Sequence, residues 1–191
     1  MEDKRKKVNF LGCENGVEPA SAFYGIVGNN LREGPDTRIE FSEVAAHPEY
    51  GTGAEYDIAV LRTSSPVQMG EKIQSICLPD SNQQFKIEQI QAMGWGATSN
   101  GALNEYELLF LRNVQLLVIN TGDSGSPAVF EDSGSGKPVA VGIASFISFL
   151  RCGPPQIPSV YTRTSSYIDW LRETVKDTNG ICFVQGNSTL V

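Results

Sequence analysis

The run Gly122-Asp123-Ser124-Gly125-Ser126-Pro127 constrains this chain more than any other segment. Its glycines admit backbone angles closed to other residues, and its proline fixes the exit. Such a run makes a tight turn. The segments around it indicate which elements carry that turn. From Ser21 onward, short apolar runs alternate with Gly, Pro, Asn and Asp. Strands are predicted at Ala22–Val27, Ile39–Ala45, Asp57–Arg62, Ile87–Met93, Glu107–Ile119, Pro127–Phe130 and Pro138–Phe146. Short strands with turn signals between them predict an all-β barrel or sandwich. One helix is predicted, Tyr167–Lys176. Ile168, Leu171 and Val175 share one of its faces, and Ser165 or Ser166 can cap it. Ser133-Gly134-Ser135-Gly136 reads as a hairpin loop, and residues 1–20 show no clear period.

The chain has 191 residues, enough for one domain with a sizeable core. Its hydrophobic content of 40% and charged content of 19% describe a globular chain. A net charge of −7 argues against nucleic acid or an anionic membrane as the main partner. The basic cluster Lys4-Arg5-Lys6-Lys7 reads as a solvated terminus. No segment reaches the roughly 18 apolar residues of a membrane span. No cofactor and no metal site is expected. Four cysteines, Cys13, Cys77, Cys152 and Cys182, allow three full pairings. A disulfide framework belongs to an oxidising compartment. Met1-Glu2-Asp3 is acidic, however, and no apolar run of a secretory signal follows the basic cluster. The expectation is either a start upstream of this chain or a cytosolic protein with free thiols. Asn187-Ser188-Thr189 is a glycosylation acceptor only in a secreted protein.

Several segments, in order, resemble the trypsin/chymotrypsin-like serine proteases. His47-Pro48-Glu49-Tyr50 is similar to that family's His-Pro-x-Tyr turn. Asp57-Ile58-Ala59-Val60-Leu61 resembles the strand carrying the triad aspartate, and Ile76-Cys77-Leu78-Pro79 the link between its two barrels. Gly94-Trp95-Gly96-Ala97-Thr98 resembles the opening of the second barrel, and Gly122–Pro127 the nucleophile loop. Val141–Phe146 resembles the substrate-binding strand, and Val160-Tyr161-Thr162-Arg163 the lead into the terminal helix. The resemblance covers residues 21–176, with residues 1–20 unassigned and 177–191 a tail. It implies a double β-barrel with an incomplete first barrel and a C-terminal α-helix. It also implies Ser124 as nucleophile, Asp57 as triad acid, and an oxyanion hole from Gly122 and Ser124. Substrate contacts would come from Ser145, Phe146, Ile147 and Ser159.

The resemblance breaks in four places. An active member begins with a freed Ile-Val-Gly-Gly terminus whose ammonium pairs with the aspartate before the nucleophile, here Asp123. Gly25-Ile26-Val27-Gly28 is mid-strand and cannot serve. Asp123 left unpaired would be a costly buried charge, so a zymogen-like loop with Asp123 turned elsewhere is expected. The family's Thr-Ala-Ala-His-Cys segment has no counterpart. The only histidine, His47, is expected at an exposed turn, where its removal costs less than about 1 kcal/mol. The stretch between Trp95 and Ser124 is short for the family, which implies a deletion and leaves Cys152 without its partner. Ile147 and Ser159 replace pocket glycines, which favours small or apolar side chains. Cys77 resembles the cysteine that tethers the protease domain to a light chain or clip-type domain, absent here.

Without a base, Ser124 reads as a serine in an inherited turn, and Asp57 as a polar core residue bonded to backbone N–H groups. The resemblance implies an extracellular serine endopeptidase acting on proteins or peptides. In this chain it is impaired, because the triad histidine and the Ile-Val-Gly-Gly start are missing. The alternatives are a non-catalytic homologue, acting as a binding or regulatory module in an extracellular proteolytic cascade, and a truncated product without function.

Overall fold

The computed structural model describes residues 17–30, 37–51, 55–85, 90–96, 109–111, 123–132, 136–146 and 159–184. Among these residues ten strands form in order: β1 Tyr24–Val27, β2 Thr37–Ala46, β3 Ala59–Thr63, β4 Leu78–Pro79, β5 Ile90–Gly94, β6 Leu109–Leu111, β7 Pro127–Glu131, β8 Pro138–Phe146, β9 Val160–Arg163 and β10 Phe183–Val184. One helix, α1, spans Ile168–Val175. The expected all-β architecture with a C-terminal helix is what folds.

The strands make an antiparallel sheet β1-β2-β3, a five-stranded antiparallel sheet β6-β5-β7-β8-β9, and a parallel pair β10-β4. Among the described residues neither larger sheet closes on itself. β1 begins later than expected, because Ala20–Ala22 closes a 3-10 turn in which Ala22 N–H donates to Pro19 O at 2.8 Å. Leu109–Leu111 is the described part of the expected strand Glu107–Ile119.

Alternation along β5 buries Ile90 and Ala92 on one face. Ile90 joins a core of Cys77, Ala128, Val139 and Val141, against which Phe85, Phe130 and Tyr161 pack. The segment before β4 is clamped to this core. Cys77 N–H donates to Pro138 O at 3.1 Å, and Ala140 N–H donates to Cys77 O at 2.8 Å. Leu78 N–H reaches Cys182 O at 2.8 Å, and this parallel pairing brings the Cys77 and Cys182 α-carbons to 4.5 Å, where they form a disulfide. The expected tether from Cys77 to a light chain or clip-type domain is therefore corrected, since its sulfur bonds within this chain. Cys13 and Cys152 lie outside the described residues.

The helix falls inside its expected bounds, but its cap does not. Tyr167 occupies the cap position without a side-chain cap bond, after a 3-10 turn at Thr164–Tyr167. Ser165 Oγ instead donates to Gln83 O at 2.8 Å. α1 stops before Lys176, whose φ of 60° departs from the helical region.

Candidate active site

Asp123 O accepts the Ser126 N–H at 2.8 Å, and Gly125 has φ +85°. These are marks of a type II turn with Ser124 at its first central position, and only glycine takes the second without strain. Two bonds fasten the turn to β8. Gly125 N–H donates to Ala144 O at 2.8 Å, and Ala144 N–H donates to Ser126 O at 2.9 Å.

The Asp123 carboxylate turns toward the end of β5. Its Oδ1 accepts the Gly96 N–H at 2.6 Å, and it lies so close over Gly94 and Gly96 that a Cβ on either would collide with it. Those two glycines are the room in which the carboxylate sits. Asp123 is thus partnered from within the chain. Tyr161 stands nearby, and its phenol is held well above its ordinary range, first by burial and then by the Asp123 charge.

Asp57 lies just before β3. Its Oδ2 accepts the Ser145 hydroxyl at 2.5 Å, the length of a charge-assisted bond. Its backbone carbonyl accepts the Thr162 hydroxyl at 2.8 Å. Among the described residues the carboxylate is met by the β8 hydroxyl and not by the expected backbone N–H groups, while the β9 hydroxyl serves the backbone carbonyl. The cause is a bulge. The β8–β9 register slips between Ala144↔Tyr161 and Phe146↔Val160, leaving Ser145 as the extra residue. Bulges re-aim side chains. Ser145, only 4% exposed, faces Asp57, so the structure gives its hydroxyl to the acid position. Ala144 holds the Ser124 turn while the adjacent Ser145 holds Asp57, and the end of β8 brings the two together.

His47 requires a correction. It is not an exposed turn residue: it is 9% exposed and surrounded by rings. Tyr56 stacks on it at 4.8 Å, Trp170 lies at 4.9 Å, and Tyr167 meets it edge-on at 5.5 Å. Its Nδ1 accepts the Glu49 N–H at 3.2 Å, which puts the proton of the neutral ring on Nε2. This packing engages the Nδ1 lone pair and covers most of the ring. The His-Pro turn forms as expected, with Tyr50 N–H donating to His47 O at 3.0 Å. The aromatic neighbours come from the segment before β3 and from the C-terminal region, so local sequence did not reveal them.

Gly122 and Ile147 lie outside the described residues. Phe146 ends β8, and Ser159 immediately precedes β9. Among the described residues no group of three or more His, Cys, Asp or Glu could hold a metal ion. No helix among them is long and apolar enough to cross a membrane.

The family profile described as Trypsin matches residues 13–171, most of the chain. The chain belongs to the trypsin family. It is 29% identical over 185 residues to the clotting factor G beta subunit of Tachypleus tridentatus, covering 77% of this chain and 59% of that protein. It is 28% identical over 175 residues to phenoloxidase-activating factor 3 of Holotrichia diomphalia, covering 74% of this chain and 49% of that protein. It is 31% identical over 157 residues to a trypsin of Phaedon cochleariae, covering 66% of this chain and 58% of that protein. The chain thus spans about half to three-fifths of the length of these relatives.

Within this trypsin-family domain, sequence reasoning missed Thr162 and the Ser145 contact to Asp57. The signal available was the Ala144-Ser145-Phe146 run at a strand end, but a bulge has no local sequence mark there. It also left open the pairing of Cys182, whose partner is 105 residues away.

Proposed function

We infer that this 191-residue polypeptide is a trypsin-type domain that binds protein or peptide partners and does not hydrolyse peptides on its own. One observation carries the reading. The only histidine of the chain, His47, is enclosed by Tyr56, Tyr167 and Trp170, with Nδ1 already accepting an N–H. Ser124 therefore has no imidazole within this chain to take its proton. The Cys77–Cys182 disulfide supports work in an oxidising, extracellular setting. The names of its relatives, a clotting factor and a phenoloxidase-activating factor, favour a regulatory module of an extracellular proteolytic cascade.

A second reading has its own observation. Asp57 is held by Ser145, and the Ser124 turn is bonded to the preceding residue, an arrangement suited to serving an imidazole between them. In that reading the domain is part of a serine endopeptidase whose base lies in sequence outside these 191 residues. Fluorophosphonate labelling and burst kinetics with a peptide ester separate the two when run both on these 191 residues and on a longer polypeptide that joins them to a histidine-bearing segment: only the second reading expects reaction in the longer polypeptide. The first reading expects no stable label and no burst from the 191-residue chain. Stoichiometric labelling lost in Ser124→Ala would overturn it.

A further inference from the structure

The two residues flanking Asp57, Tyr56 and Ile58, are both held by one cluster built around the only histidine of the chain. Tyr56, immediately before it, has φ +60°, a left-handed conformation that bulky residues rarely adopt. Its N–H donates to Tyr167 Oη at 3.1 Å. Its carbonyl accepts the Ile58 N–H at 2.8 Å, a bond spanning three residues that makes Asp57 the apex of a γ-turn. On the far side, Ile58 O accepts the His47 N–H at 3.0 Å, and Ile58 is buried. The His47 ring stacks on Tyr56, and the Tyr167 ring meets both edge-on. Tyr167 ends the 3-10 turn that leads into α1.

We propose that Tyr167 and His47 are positioning residues for Asp57. Tyr167 supplies the acceptor that fixes the Tyr56 N–H, and His47 supplies the flat surface on which the Tyr56 ring rests. Together they keep Tyr56 left-handed, and the γ-turn then aims the Asp57 carboxylate at Ser145. Released from them, Tyr56 relaxes to negative φ and swings the carboxylate off the Ser145 hydroxyl. The histidine of this chain thus acts on the acid position through the backbone, as a packing surface and not as a base. This role concerns Asp57 alone and holds whether or not Ser124 reacts.

The test uses nuclear magnetic resonance on the 191-residue chain. A hydroxyl proton held in a 2.5 Å bond exchanges slowly and gives a signal correlated with the Ser145 β-protons, absent in Ser145→Ala. Tyr167→Phe keeps the ring and removes the acceptor. It should erase or broaden that signal and lower the protection of the Ile58 amide by about tenfold, with the rest of the spectrum dispersed as before. Trp170→Phe is the packing control: it should lower Tm while leaving the Ser145 signal in place. If Tyr167→Phe does not fold, His47→Gln keeps the backbone donor, removes the ring, and should weaken the same signal. The proposal is overturned by a Ser145 signal that survives in a folded Tyr167→Phe or His47→Gln chain. It is equally overturned if all variants lose signal only in proportion to their Tm, or if the unmodified chain shows no such signal.

Discussion

The five-stranded sheet and the three-stranded sheet of this molecule bury their residues in different ways. In the first, β5 alternates buried and half-buried positions, Val139 is 0% exposed and Ala128 2%. In the second, no residue of β1, β2 or β3 is fully buried, and Tyr24 and Ile26 on β1 stand 48% and 40% exposed. β1 also pairs with β2 alone among the described residues. The five-stranded half is held by close apolar packing and a disulfide. The three-stranded half is anchored near one end, by Ile58 and the rings around His47. Two halves of one fold thus depend on different forces, and separate substitutions should loosen them separately.

The largest effect should come from the disulfide. Cys77 is 3% exposed in the main core, and its bond to Cys182 closes a loop of 105 residues. Constraining a loop of that size restricts the unfolded chain strongly. Cys77→Ala with Cys182→Ala should cost about 2–5 kcal/mol in urea unfolding. Amide protection should fall most at Val139–Val141 and in β4 and β10. A loss under about 1 kcal/mol would show that packing alone holds this half.

His47→Ala addresses the other half. Removing a ring enclosed by three aromatic side chains leaves a cavity and lost contacts, and should cost about 2–3 kcal/mol. Exchange should quicken in β2 and β3 while β8 amides keep their protection. A cost under about 1 kcal/mol would restore the exposed-turn picture. Equal loss of protection in both halves would erase the contrast between them.

The two halves were not equally legible in the sequence. β8 runs over Pro138–Phe146, the span that its apolar content predicts, because a strand buried in a core reads as a continuous apolar run. α1 was legible because Ile168 and its periodic partners mark one face. β4 and β10 were not, since two residues carry no period and the two strands pair across about a hundred residues, beside the Cys77–Cys182 disulfide. At the site, the Gly122–Pro127 run announced a tight turn, and Gly125 takes the positive φ that such a turn needs. The contacts of Asp57 and His47 were hidden, because each partner comes from a distant segment: Ser145 and Thr162 for one, Tyr167 and Trp170 for the other. Motif reading locates residues, but it does not report which side chains meet.

A pH-dependent effect sharpens the contrast on the five-stranded side. The Tyr161 phenol is raised above its ordinary value of 10.0, chiefly by burial. The folded state therefore keeps the phenol neutral at pH values where the unfolded chain has released the proton. Its contribution is fully present below about pH 10 and is lost as pH rises beyond it. Tyr161→Phe removes the ionisation and should move the midpoint of alkaline unfolding up by about half a pH unit, with little change at neutral pH. An unchanged alkaline midpoint would mean that another group governs that transition.

The smallest expected change lies where α1 joins the rest, and it is a gain. Thr164 is 2% exposed in the 3-10 turn before the helix, and among the described residues its Oγ1 has no hydrogen-bond partner. Its neighbour Ser165, equally buried, is satisfied by Gln83 O. A buried hydroxyl without a partner has given up its water without replacement, and replacing it by a methyl of similar shape removes that cost. Thr164→Val should therefore stabilise the chain by about 0.5–1 kcal/mol in thermal and urea unfolding, whereas Ser165→Ala should destabilise it by a similar amount. Opposite signs at adjacent, equally buried hydroxyls would isolate the value of a single hydrogen bond at the joint between the helix and the sheets. Destabilisation by Thr164→Val would show instead that its hydroxyl is served, by water or by a group outside the described residues.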